Sequence, residues 1–233
     1  MRFTLFIVTL LFATSPICDE YSPEMLHSGS NDYPKLGEMI ISNHENKSLP
    51  LPSQEIIVLA VKGHHRLVER GVISKEKPLV VIDFSLPSTK KRLWVIDIET
   101  GSILFNDFVS HGRNSGDLYA TSFSNQNSSY QSSLGFYLTA ETYFGKHGYS
   151  LRLDGLETGI NDNARERAIV IHGADYANPD FIDKTGRLGR SLGCPALPLE
   201  SARGLIDLIK EKSCLFIYGN EPSYFQNSLV LQG

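Results

Sequence analysis

His172 and Cys194 bracket a loop rich in glycine and arginine, and together they have the makings of a base and its nucleophile. The thiolate is the reactive form of cysteine, and a free thiol with a pKa near about 8.5 is mostly protonated at neutral pH. An imidazole within reach takes that proton, which is what cysteine acyl transfer requires. Gly193, directly before Cys194, frees the backbone to aim N–H groups at one point, and two such donors would make an oxyanion hole. Ser191 is placed to hydrogen-bond the imidazole or a substrate, and Pro195 to stiffen the loop by fixing φ. Arg187 and Arg190 add positive potential that favours the thiolate and draws a carboxylate-bearing substrate. Gly173, beside the candidate base, lets a substrate or a neighbouring loop approach closely. Taken singly, each of the two residues reads more simply as a packed loop cysteine or a strand-end histidine. A metal site is not expected, because no Cys-x-x-Cys or His-x-x-x-His spacing accompanies the pair.

The elements that must position these groups are largely strands. Leu79–Phe84, Leu93–Ile98, Ile103–Val109, Phe136–Ala140, Tyr149–Leu153 and Ala168–His172 read as strands, with a turn at Glu99–Ser102. His172 closes the last of them. Ile56, Ile57, Ala60, Val61, His64 and Val68 recur at helical spacing over 53–70, with Gly71 as a stop. Ala202, Leu205, Ile206 and Ile209 mark a second amphipathic helix, and the Cys214 strand closes the domain. The pattern is mainly β: a mostly antiparallel sandwich or partial barrel with an N-terminal and a C-terminal helix.

With 233 residues, 41% hydrophobic and 21% charged, the chain has enough apolar content for one sizeable core. A net charge of -4 without a basic stripe argues against a nucleic-acid partner. Arg2, the apolar run Phe3–Phe12 and the small residues Ala13-Thr14-Ser15 describe a secretory signal peptide over 1–18, too short to span a bilayer. Export to the periplasm or the extracellular envelope follows, with no stable membrane span. Residues 19–50 read as a flexible arm or linker, 51–220 as the catalytic domain and 221–233 as a tail. Of three cysteines, Cys18 lies at the leader's end, Cys214 reads as a buried strand residue, and Cys194 sits in polar, turn-forming sequence. A Cys194–Cys214 disulfide is the competing reading.

The run Gly189-Arg190-Ser191-Leu192-Gly193-Cys194-Pro195-Ala196, with His172-Gly173 before it, resembles the signature of the murein L,D-transpeptidase catalytic domain. His111–Gly116, Ser132–Gly135 and Gly159–Arg165 are similar to family blocks in the same order. The resemblance runs from about Ser53 to Tyr218. It implies a β-rich domain of the L,D-transpeptidase type and no cofactor. It also implies peptidoglycan stem peptides as substrate, with Cys194 as nucleophile and His172 as base and then acid. Catalytic roles fall on Cys194, His172, Ser191 and Gly193; substrate contacts fall on Gly173, Arg190, Arg187, Arg113 and His111. Leu192 stands where many relatives have histidine, and Pro195–Pro198 where they commonly have arginine. Arg190 is the first candidate for that cation, with Arg187, Arg113 and Arg152 behind it. The acyl acceptor is left open between an amine and water, an L,D-carboxypeptidase in the second case. A catalytically silent wall-binding module and an unrelated cysteine peptidase or amidase are the other readings.

Overall fold

The computed structural model describes residues 32–232. The expected signal peptide, Cys18 and the first part of the expected arm lie outside the described residues. Where the arm is described, it is not a linker. Asp32 caps a helix, α1 (Tyr33–Ser42), whose Tyr33, Leu36 and Ile40 are buried at helical spacing. A buried Asn46 then donates from Nδ2 to the carbonyls of Ile40 and Gly101, both at 2.8 Å, and accepts from Ile103 N–H at 2.8 Å. That one amide ties the segment to the neighbouring hairpin turn. The sequence signal was short and interrupted by Asn and Ser, which favour caps and turns.

Ser53 opens the second helix, α2 (Gln54–Glu69), by accepting from Ile56 N–H. Eight strands follow: β1 (Leu79–Asp83), β2 (Leu93–Ile96), β3 (Ile103–Asp107), β4 (Gly135–Gly145), β5 (Gly148–Gly155), β6 (Val170–Gly173), β7 (Ala196–Leu197) and β8 (Cys214–Tyr218). Helix α3 (Pro179–Thr185) lies between β6 and β7, and α4 (Leu199–Ile209) between β7 and β8; α5 (Pro222–Asn227) and α6 (Leu229–Gln232) end the chain.

The strands form one mixed sheet in the order β3-β2-β1-β8-β4-β5-β6-β7. Pairings β1/β8 and β6/β7 are parallel and the others antiparallel. The two edges meet. Ser110, just beyond β3, forms an antiparallel bridge with Ala196 of β7, its N–H donating to the Ala196 carbonyl at 2.8 Å. The expected mainly β domain with helices at both ends is therefore present as a rolled, partly closed sheet. Its central strands β1, β2 and the core of β8 are buried throughout, so they read as continuous apolar runs.

The C-terminal tail is docked. Buried Glu157 accepts from Phe136 N–H at 2.8 Å and from Tyr224 Oη at 3.1 Å, and also bonds Ser228 Oγ. Arg66 on α2 donates to the Val230 carbonyl at 2.8 Å. Cys214 is a free thiol in the core, and Cys194 is also free, so the two do not form a disulfide. Among the described residues, no helix is long and apolar enough to cross a membrane.

Gly63 explains how α2 reaches the sheet. A Cβ there would overlap the Phe136 ring, which stacks on Phe216 with centroids 4.4 Å apart. On propensity alone Gly63→Ala gains up to about 1 kcal/mol. Overpacking against a stacked pair costs about 1–3 kcal/mol, so urea unfolding of the variant is expected to show net destabilisation.

Candidate active site

Cys194 lies in a loop held from several sides. Ser191 Oγ donates to the Cys194 carbonyl at 2.6 Å and accepts from Gly193 N–H at 3.0 Å, closing a tight turn from Ser191 to Cys194. Ser191 N–H donates to the His111 carbonyl at 2.9 Å, and Arg113 N–H donates to the Ser191 carbonyl at 2.8 Å. Ser132 Oγ donates to the Gly193 carbonyl at 3.3 Å and accepts from Gly112 N–H at 3.0 Å. Gly193 has φ +124°, and a Cβ there would come within 2.9 Å of the Gln131 carbonyl oxygen. Glycine is required by both the dihedral and the space.

The half-buried thiol faces backbone. Its Sγ lies 3.7 Å from the Ala168 carbonyl, and Ala168 itself has φ +54°, a left-handed conformation unusual for alanine. Burial raises the Cys194 pKa; a hydrogen bond from Val170 N–H and the charges of Arg167 and Lys146 oppose that rise. Arg167 is anchored beside it, donating to the carbonyls of Ser124 and Gln131 at 2.8 and 2.6 Å and to the hydroxyls of Ser133 and Ser129 at 2.5 and 3.1 Å. Half-buried Tyr176 also feels the thiol's charge, and burial raises its phenol to about 12.

His172 is the penultimate residue of β6, next to β7, where it pairs in register with Ala196. Its Nδ1 lies 2.9 Å from the Gly173 carbonyl. A carbonyl only accepts, so Nδ1 carries the proton and the neutral ring keeps its lone pair on Nε2. Burial, the first cause, and the charges of His147 and Lys146 lower the His172 pKa below 6.5, while the Gly173 bond opposes them. His172 is only 2% exposed, and His147 stacks on its ring, with centroids 4.2 Å apart and planes at 23°.

Against this geometry, a family model described as the L,D-transpeptidase catalytic domain matches residues 51–218. The chain belongs to the L,D-transpeptidase family. Solved structures to which the chain is similar include an L,D-transpeptidase from Mycobacterium smegmatis, at 13% identity and TM-score 0.37, with 61% of this chain and 59% of that chain covered. L,D-transpeptidase 3 from Mycobacterium tuberculosis matches at 14% identity and TM-score 0.39, with 61% of each chain covered. An Enterococcus faecium L,D-transpeptidase matches at 12% identity and TM-score 0.36, with 63% of this chain and 51% of that chain covered. The match thus spans less than two thirds of the length of these structures. A comparison with curated protein sequences found no significant match.

Several residues sit differently in this L,D-transpeptidase domain from what sequence alone suggested. Ser191 bonds the loop backbone rather than an imidazole. The Gly193 N–H is taken by Ser191 Oγ; among the described residues the Cys194 N–H has no acceptor and is the free donor there. Arg187 and Arg190 both pair with Asp117, at 2.7 and 3.2 Å, and Arg113 lies over the Tyr130 ring at 4.3 Å. Arg152 pairs with Glu141 at 3.2 Å. None of these four is among the charges that shift the Cys194 thiol. His111 is buried, accepts from Arg92 at 2.8 Å and is held neutral, its pKa lowered to about 3 by burial and then by that guanidinium. A Cβ at Gly173 would meet Ala202 and Leu199 of α4 at 3.1 Å, so this glycine admits a helix. Leu192 is 52% exposed.

Arg167, Lys146 and Tyr176, which local sequence did not mark, lie around the site together with His147. Arg167 follows a recognised block by two residues, but nothing in a turn's sequence tells which arginine turns inward. Among the described residues, no group of three His, Cys, Asp or Glu could hold a metal ion.

Arg167→Met removes a charge beside the thiol and leaves the Gln131 carbonyl without its donor. It is expected to cost about 1–3 kcal/mol in denaturant unfolding. It is also expected to move the pH midpoint of Cys194 alkylation further upward.

Proposed function

We propose that this chain is an exported cysteine acyl-transferase acting on peptidoglycan stem peptides, with Cys194 as nucleophile and His172 as base. The observation that carries the reading is the Nδ1–H bond to the Gly173 carbonyl, which leaves Nε2 as a proton acceptor on β6, the strand paired with β7 just after Cys194. Family membership supplies the reaction class, and the leader-like sequence at residues 1–18 supports an envelope location.

In the first half-reaction His172 Nε2 takes the thiol proton as Sγ attacks the meso-diaminopimelate carbonyl that is amide-linked to D-alanine in a tetrapeptide donor. The Cys194 N–H stabilises the oxyanion. The C–N bond breaks, D-alanine leaves with the proton returned by Nε2, and a thioester remains. In the second half an amine of another stem peptide gives a proton to His172 and attacks the thioester, and the thiol is restored. With the thiol raised and the imidazole lowered, the resting pair is neutral, so proton transfer accompanies attack. The loop arginines are engaged with Asp117, so they support the loop rather than the thiolate.

Purified protein incubated with tetrapeptide muropeptides is expected to release D-alanine and form 3–3 cross-linked dimers. Cys194→Ala is expected to abolish both, and His172→Gln to slow them about 10²–10⁴-fold. Release without dimers would make water the acceptor, and intact activity in Cys194→Ala would remove the assigned nucleophile. The kcat/KM profile is expected to fall on the acid side below 6.5, where His172 becomes charged, and on the alkaline side above 9.0. An acid limb at 7 or higher, measured with the same donor, would contradict a buried neutral base.

A further inference from the structure

The β4–β5 hairpin reaches over the active site. Gly145 pairs with Gly148, leaving Lys146 and His147 at its tip, and Gly148 takes φ +73° to close the turn. Further back, the register steps from Thr139↔Leu153 to Thr142↔Leu151, so β4 carries an extra residue there. Such a bulge bends and twists a hairpin. Ser150 of β5 pairs with His172, and the bent tip beyond it sets the exposed His147 ring on the His172 ring at 4.2 Å. The stack fixes where Lys146, the adjoining residue, stands.

The cations around the thiol differ in what they hold. Arg167 is occupied by four protein oxygens. Arg187 and Arg190 hold Asp117; Arg152 and Arg165 hold Glu141, and Arg165 also holds Asp154. Lys146 is exposed, and among the described residues it has no hydrogen-bond or carboxylate partner. Its charge is nevertheless felt at both Cys194 and His172. An ammonium at the mouth of a nucleophile site, with no partner in its own chain, suits an anionic group on the incoming molecule.

We propose that Lys146, held over the site by the His147–His172 stack, receives a carboxylate of the acyl donor close to the carbonyl that Cys194 attacks. This rests on Cys194 being the nucleophile, and it adds a specificity residue outside the His172–Cys194 loop. The donor class it selects is a peptide with a free carboxylate near the scissile bond, in preference to its amide.

Two alkylating reagents that differ only in charge test this without a peptide substrate. Iodoacetate and iodoacetamide both transfer a CH₂ group to sulfur: Sγ forms the S–C bond, iodide leaves with the electron pair, and the thiol proton passes to His172 or buffer. Rates at Cys194 are read on the full chain by peptide mapping, which separates it from Cys18 and Cys214. In Lys146→Met, the iodoacetate rate is expected to fall about threefold to tenfold relative to iodoacetamide, and Lys146→Arg to keep the wild-type ratio. The wild-type preference should also shrink as salt screens the charge. An equal change with both reagents would reduce Lys146 to a tuner of the thiol, and no change would remove it from the site; either overturns the proposal. Failure of the parent reading looks different: wild-type Cys194 would be inert to both reagents, and the proposal would fall with it.

Discussion

Ala196 carries the constraint on which this site depends. It pairs with His172 on one side and bridges Ser110 on the other, so one residue both extends the sheet and joins its two edges. Backbone pairing sets position to a fraction of an ångström because each strand has one register that keeps its buried face buried. With Ala196 fixed, Cys194 has only Pro195 between it and a strand. The candidate nucleophile and base thus inherit their relative placement from a parallel ladder rather than from a flexible loop.

What remains is to hold the loop before Cys194, and here nearly every polar group is spent on backbone. Ser191 closes the turn, Ser132 takes the Gly193 carbonyl, and Arg167 bonds four oxygens within and around the 124–133 segment. A buried carbonyl without a donor costs about 1–3 kcal/mol, so these bonds define a narrow set of loop conformations. Burial leaves thiol and imidazole neutral at rest, with Arg167 and Lys146 partly offsetting the thiol's rise. A pair poised in this way responds to a substrate that excludes further water, because every charge in the site then acts in a lower dielectric.

Much of the fold was legible because its strands are short apolar runs bounded by turns, and α2 and α4 have clear helical spacing. The blocks around 111–116 and 132–135 were also legible, and they do lie against the loop: His111, Arg113 and Ser132 bond to it directly. Three things were not legible. α1 is short and is secured by Asn46, a residue whose type signals a turn. His111 looked like a site residue through its Gly-Arg neighbours, yet its ring is turned to Arg92, which β2's neighbourhood buries completely. Lys146 comes to the site only through the register of β5 on β6 and the bulge in β4, and neither is written in local composition.

The most direct test of Cys194 as the acyl-accepting group is a rapid acid quench with a tetrapeptide donor, followed by proteolysis and mass spectrometry. A mass increase equal to the donor minus D-alanine is expected, confined to the peptide containing Cys194 and lost in Cys194→Ala. Release of D-alanine with no adduct on Cys194, or with the adduct on another residue, would contradict it.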